Sequence, residues 1–407
     1  MKKVIAILFL LCINNLFGQN GWEFQNSGTE MGLNSIYFFN KQSGIAVGIF
    51  NTILKTTDGG NNWDMVEFQP GYDIMFTEVL FTDYQTGYAI GSKGSIIKTS
   101  NSGNSWFIQE SPSYSYLMGL NFINNDTGWI VSNKGEILAT TDGGQTWLKN
   151  DSTMDVGLSD ILFFNSSDGL IIGNKGSIYK TTNGGSNWIK INIPVDTNLT
   201  NMFFYNNNYG WIVGHDGTLL RTTNGGDDWE KINFVNAENL FSVFFVNDTS
   251  GWIGSWNGSI YHTTNSGRNW ELQFKGKNDF DQIFGLYFSD DTTGWAVGNS
   301  GIILHTNSAG VTNINESNSI LKSFMNYYPN PFSSSFNLEF ANSTASAVNI
   351  ELYDIIGNKI YSKSLGFLDR GTHNTTIQLN DGISSGCYLV VLRNGVDIQS
   401  MKVVKSE

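Results

Sequence analysis

Seven tryptophans at near-constant spacing, seven glycines in step with them, and a phenylalanine six residues ahead of each glycine predict an all-β chain. The expected architecture is a seven-bladed β-propeller followed by a small C-terminal β-sandwich. Trp22, Trp63, Trp106, Trp147, Trp188, Trp229 and Trp270 lie 41, 43, 41, 41, 41 and 41 residues apart. Gly44, Gly87, Gly128, Gly169, Gly210, Gly251 and Gly294 keep the same step, preceded by Phe38, Phe81, Phe122, Phe163, Phe204, Phe245 and Phe288. A period near 40 residues is the mark of a solenoid or propeller. The composition fits, with 45 Gly, 5 Pro and 14% aromatic residues: many short strands and many turns.

One unit reads "TNMFFYNNNYGWIVGHDGTLLRTTNGGDDWEKI". It offers four strands, "NMFFY", "GWIVG", "GTLLRTT" and "DWEKI". Between the second and third stands an Xaa-Gly pair, a tight-hairpin signal. The first run is apolar at consecutive positions, which predicts a strand buried on both faces. One four-stranded sheet cannot supply such burial, whereas a ring of sheets can. The seventh unit stops short of its tryptophan strand, and "GWEFQNSG" at residues 21–28 is a spare one. Pairing them would close the ring and remove two exposed edges.

Residues 1–19 read as a secretory signal: Lys2 and Lys3, then a short apolar run, then Gly18. Cys12 follows Leu11, where a lipoprotein would need a small residue. No other run approaches the ~20 apolar residues of a membrane helix. Once the signal is removed, Cys387 is the remaining cysteine, so the fold is expected to hold without disulfides. The net charge of -13 argues against nucleic acid as a partner.

A turn joins the third and fourth strands of each unit: "TTDGGNNW", "TSNSGNSW", "TTDGGQTW", "TTNGGSNW", "TTNGGDDW" and "TTNSGRNW". This box resembles the Asp-box of sialidases and related propellers. Its acidic place holds Asp58, Asn101, Asp142, Asn183, Asn224 and Asn265, with Ser308 in the seventh copy. Asn cannot titrate, but Asp, Asn and Ser can all accept hydrogen bonds from a turn backbone, so the box is read as structural. Sialidase activity, as that family implies, needs three arginines around a carboxylate. This chain has four in all, Arg221, Arg268, Arg370 and Arg393, and the last two lie in the tail.

Units such as "GWIVSNKGEILATTDGGQTW" also resemble the photosystem II assembly and stability factor family. The resemblance spans residues 20–310 and implies a seven-bladed scaffold rather than an enzyme. After a polar linker at 311–325, residues 326–407 carry "YYPNPF", "YDIIGNKI", "GCY" and a terminal "KVVK". Alternating strands with "GN" and "NG" turns suggest a sandwich. These pieces resemble the C-terminal sorting domain of the Bacteroidetes type IX secretion system. That resemblance implies passage through the periplasm to the surface or medium by way of the secretion machinery.

No phosphate loop, Ser-His-Asp set or zinc spacing appears, and neither a cofactor nor a metal is expected. His262 and His305 fall on third-strand positions held elsewhere by Lys55 and Arg221 and read as surface residues. Asp73, Glu78, Asp279 and Asp281 read as loop carboxylates that could converge as a glycosidase pair, the alternative to a binding scaffold. The loops leading into the second and seventh blades are each two residues longer than the others and share a face with the Xaa-Gly hairpins. Lys93, Lys134 and Lys175 are taken as one hairpin-tip position, continued by His215, Trp256 and Ser300. With Tyr72, Tyr114, Tyr116 and Phe280 they make the candidate binding face, for an extracellular glycan or protein.

Overall fold

A computed structural model describes residues 21–311, except 151–153, 235 and 277–280, and residues 325–406, except 329–331, 343–344, 355–356, 370, 381 and 395–396. The signal segment, most of the linker, Asp279 and Phe280 therefore lie outside the described residues. The chain divides into two compact units on either side of the 313/314 boundary.

The first unit contains seven four-stranded antiparallel sheets among its described residues. Blade 1 is built from Leu33–Phe38, Gly44–Gly48, Ile53–Thr56 and Asp64–Met65, in that order from the axis outward. Blades 2 to 6 repeat this order. Blade 7 takes Ile283–Phe288, Gly294–Gly298 and Ile303–Thr306 from the end of the repeats and Glu23–Gln25 from their start. Phe24 pairs with Leu304, flanked by Glu23 with His305 and Gln25 with Ile303. The ring closes as the spare tryptophan strand predicts.

The Phe and Gly columns have one physical cause. Each phenylalanine is the cross-strand partner of its glycine, and its ring lies over the glycine's α-carbon; Phe38 and Gly44 are one such pair. A β-carbon at any of the seven glycines would stand 2.3 to 2.8 Å from that ring. The same ring meets the box tryptophan of its own blade edge-on, at 5.8 to 5.9 Å, all the way round to Phe288 and Trp22. Its other face stacks on the preceding blade, as Phe38 does on Trp295 at 3.5 Å and Phe163 on Trp129 at 3.6 Å. Such pairs contribute roughly 0.5–1.5 kcal/mol beyond area burial.

The strand buried at every position is the second of each blade, not the first. The first strand alternates between buried and half-buried residues because one side faces the axis. A bulge early in each first strand turns its second and third residues toward that axis.

The second unit is a sandwich. A three-stranded sheet of Met325–Tyr328, Ser335–Asn342 and Gly371–Gln378 faces a four-stranded sheet of Lys359–Leu368, Ser346–Tyr353, Gly386–Asn394 and Asp397–Lys405. Phe336, Leu338 and Phe340 from one sheet share a core with Val348, Ile350, Val390 and Leu392 from the other. Phe332 is buried, and its backbone bonds Val404 and Ser406, so the "NPF" and "KVVK" segments are tied together.

Candidate functional site

Three layers of side chains line the axis of the propeller. Nearest the hairpin face is the second residue of each first strand: Asn34, Thr77, Met118, Ser159, Thr200, Phe241 and Phe284. Below it runs the third: Ser35, Glu78, Gly119, Asp160, Asn201, Ser242 and Gly285. Lowest is the fifth, where Phe203, Phe244, Tyr287 and Tyr37 form a chain of ring contacts at 4.8 to 5.5 Å that narrows the far end. Together they enclose a cavity of about 690 Å³, running from Asn174, Asn198 and His215 at the hairpin face down to Tyr37 and Tyr287.

The middle layer stitches neighbouring blades. Ser35 Oγ accepts from Val79 N at 3.2 Å, Glu78 Oε2 from Leu120 N at 2.6 Å, Asp160 Oδ2 from Met202 N at 2.8 Å, and Asn201 Oδ1 from Val243 N at 3.0 Å. Asp160 Oδ1 also accepts from Ile161 N, the amide that Gly119 has no side chain to reach. Two of these seven positions hold carboxylates, and no Lys or Arg is among the lining residues. Asp160 is buried; Glu78 keeps some exposure, to the channel. Burial, and then the charge of Asp160, push the Glu78 carboxyl well above the usual carboxylate range. Burial raises Asp160 too, against the pull of the Met202 and Ile161 amides and Asn201. Asp160 accepts three N–H donors and Glu78 one, so Glu78 is the member of the pair that carries a proton.

Glu78 is thus a strand residue in the channel, not a loop carboxylate. Asp73 stays exposed in its loop, and Asp281 sits beside Gly258 and Gly276. The partner that Glu78 does meet, Asp160, is missing from the sequence-derived set. The readable signal is a residue three ahead of each phenylalanine that is polar in five units and Gly in the other two, inside an apolar strand.

The predicted binding residues separate into groups. Lys93 Nζ lies 5.2 Å from the centre of the Tyr72 ring, Tyr114 stands beside the Gly94 turn with 92% of its surface exposed, and the Tyr116 hydroxyl reaches Met75 Sδ at 2.9 Å. His215 and Trp256 belong elsewhere. They sit one residue before the lysine position, whose true continuation is Asp216, Asn257 and Ser300. The left-handed φ of Lys93, Lys175, Asp216 and Ser300, each followed by Gly, fixes that register. The preceding residue faces the mouth. His215 packs on Phe241 at 6.4 Å, Phe241 on Trp256 at 5.6 Å, and Phe241 on Phe284 at 5.3 Å. Phe241 and Phe284 were not anticipated. Among the described residues, Lys93 is the one hairpin-tip lysine with a ring beneath it. Lys134 borders a shallow pocket that also holds Glu136 and Lys149.

On the opposite face the box is a self-contained turn. Asp58, Asn101, Asp142, Asn183, Asn224 and Asn265 each use Oδ1 to accept from the amide four residues on, at 2.9 to 3.1 Å. The threonine two residues earlier accepts from the amide of the glycine four residues after it, at 2.7 to 3.0 Å, in all seven copies. Hydrogen bonds from Thr146 hold Asp142 down to about 2. Asp142→Ala is expected to lower the melting temperature slightly and Asp142→Asn less, because the acceptor survives. Equal melting curves for alanine, asparagine and parent would contradict the role assigned to Oδ1. His262 and His305 are half-buried rather than on the surface. His262 stacks on Trp252 at 4.5 Å, and burial takes its ring down to about 4. Among the described residues no group of three or more His, Cys, Asp or Glu side chains converges, and no helix is long and apolar enough to cross a membrane.

A closed ring of seven blades with an axial cavity, followed by a small sandwich, defines a two-domain β-propeller protein. The chain belongs to the family described as photosynthesis system II assembly factor YCF48, whose model matches four overlapping stretches between residues 15 and 238. Residues 326–406 match the secretion system C-terminal sorting domain, which directs export to the surface or medium. No curated protein matches. Among solved structures, "YCF48 bound to D1 peptide" is 19% identical with a TM-score of 0.61, covering 73% of this chain and 99% of that one. YCF48 from Cyanidioschyzon merolae is 18% identical with a TM-score of 0.59, over 70% and 98%. The extracellular domain of the one-component system BT4673 from B. thetaiotaomicron is 10% identical with a TM-score of 0.58, over 96% of this chain and 60% of that one. These likenesses concern the fold.

Proposed function

We propose that the propeller is a non-catalytic scaffold that binds a protein segment on its hairpin face, outside the cell, after export through its C-terminal domain. The observation that carries this reading is the mouth of the axial cavity, where Trp256, Phe241, Phe284 and His215 form one aromatic group above a space of about 690 Å³. Aromatic anchors beside a pocket dominate many protein interfaces. Trp256 is 46% exposed and available to a partner. That a related propeller has been solved with a peptide supports the same reading. Lys93, Tyr72 and Tyr114 favour a second reading on the same face, an anionic glycan stacked on exposed rings. The glycosidase alternative has less support, since Asp73 stays exposed in its loop and Glu78 lines the channel, where Oε2 accepts from Leu120 N.

The test is a peptide library screened against the purified mature protein, with affinity then measured for the best peptide. Phe241→Ala and Trp256→Ala should each weaken it by about tenfold, the loss of one anchor, without changing the melting temperature. Gln145→Ala and Arg268→Ala, on the box face, should leave it unchanged. Affinity that responds only to the box-face pair puts the site on the wrong side of the ring. An acidic polysaccharide whose binding is lost when Lys93, Lys134 and Lys175 become Ser would favour the glycan.

A further inference from the structure

The channel below the aromatic mouth is charged as well as hollow. We propose that it receives the cationic head of a lysine or arginine side chain from a bound protein segment. The aliphatic stem lies against Phe241 and Phe284, and Glu78 and Asp160 supply the countercharge. This rests on the protein-binding reading above and names the residue type that the site selects.

Three observations carry it. One cavity is lined both by Phe241, Phe284 and His215 of the aromatic mouth and by the two carboxylates, so the rings and the charges face one space. The middle-layer position between the two carboxylates, Gly119 on blade 3, carries no side chain, so no side chain of that layer stands between Glu78 and Asp160. Polar capacity in that layer is also unused. Glu78 Oε2 accepts from Leu120 N, and no described residue bonds its Oε1. An N–H donor arriving from the mouth would bond that open oxygen and so offset its own loss of water.

The occupant follows from chemical complementarity. An anion is excluded by two carboxylates with no lysine or arginine beside them. A bare metal ion is disfavoured because the two Asp160 oxygens are already accepting amide hydrogens. A lysine or arginine matches both layers, with methylenes for the rings above and N–H donors for the oxygens below. The net charge of -13 adds long-range attraction for a basic segment.

The experiment uses the mature full chain and four small probes in calorimetric titration. They are Nα-acetyl-lysine methylamide, its Nε-acetylated form, Nα-acetyl-norleucine methylamide and n-butylammonium. The lysine probe should bind about tenfold or more tightly than the acetylated and norleucine probes, the cost of losing one buried charge contact. Glu78→Gln, which keeps an acceptor for Leu120 N, should erase that preference. Phe284→Ala should weaken the lysine and norleucine probes alike. A melting curve of each variant confirms that it is folded. Equal affinity for norleucine and lysine would overturn the charge role while leaving the protein-binding reading intact. The n-butylammonium probe carries the same stem and head and should match the lysine probe; much weaker binding would place recognition on the lysine probe's amides and overturn the channel assignment. If none of the four binds, the inference fails, and the peptide library judges the protein-binding reading separately.

Discussion

Deleting residues 20–28 is expected to remove most of the stability of the propeller and to make it self-associate. The segment supplies the outermost strand of blade 7 and the link between that blade and blade 1. Trp22 is fully buried, meets Phe288 edge-on at 5.9 Å and donates to Gln273 Oε1 at 3.3 Å. Gln25 donates to Gly59 O at 2.9 Å and accepts from Trp63 Nε1 at 3.2 Å, which holds the box of blade 1. Removing a buried tryptophan alone costs about 3–5 kcal/mol. The lost strand pairing adds to that, against a typical total of about 5–15 kcal/mol. The residual sheet would present the row of N–H and C=O groups on Ile303–Thr306 as an open edge. Thermal melting and sedimentation measure both effects. A truncated chain that is monomeric and melts with the parent would refute the closing role of this strand.

The ring was legible because its causes recur in every unit. Phe over Gly, Trp against Phe, and Thr bonded to a glycine amide are local geometries, each needing one residue type at one place. A period of 41 residues exposes them in a single sequence. The sandwich was legible from its alternation.

The channel was harder to read, for a physical reason. A hydroxyl, a carboxylate or a carboxamide can each accept from the same backbone amide of the next blade, so the column Ser35, Glu78, Gly119, Asp160, Asn201, Ser242 and Gly285 shows no consensus. Glu78 also follows the lengthened loop of blade 2, where the strand start is not marked, and so it read as loop. The first strands looked doubly buried because rings such as Phe244 and Tyr287 cover the axis side in place of a second sheet. His215 and Trp256 were placed one residue late because their hairpins carry His-Asp-Gly and Trp-Asn-Gly where others carry Asn-Lys-Gly. The glycine marks the register; the eye-catching side chain does not. The correction matters to function, because it moves those two residues from the lysine row to the mouth.

Glu78→Gln is expected to raise the melting temperature at neutral and alkaline pH, with little change near pH 4. The carboxyl of Glu78 titrates well above its ordinary value of 4.5 because burial and the Asp160 charge disfavour ionisation. The folded state therefore holds a proton that the unfolded chain has already lost. Stability is fully present below the ordinary value and falls as pH rises through the raised one. Gln removes the titration but keeps an oxygen for Leu120 N. The groups that face Glu78 across the channel are Asp160, His215, Tyr37 and Tyr287. Asp160 behaves differently on substitution, since its oxygens accept from Ile161 N, Met202 N and Asn201 Nδ2, and Asp160→Asn would turn a donor toward one of these donors. That change should destabilise at every pH. Other groups act in other windows. Asp142, held down to about 2, and Asp58, held below its ordinary value of 3.8, withdraw stability only at acid pH. His262 and His305, buried neutral, add stability as pH rises toward 6.5. The difference between variant and parent, followed from pH 4 to pH 9, cancels these contributions and isolates Glu78. A difference that stays flat across that range would show that the Glu78 carboxyl is not held protonated by the channel. Binding a cationic side chain would run the other way, since ionised Glu78 is the form it favours. The same substitution that stabilises the empty scaffold should then weaken the lysine probe.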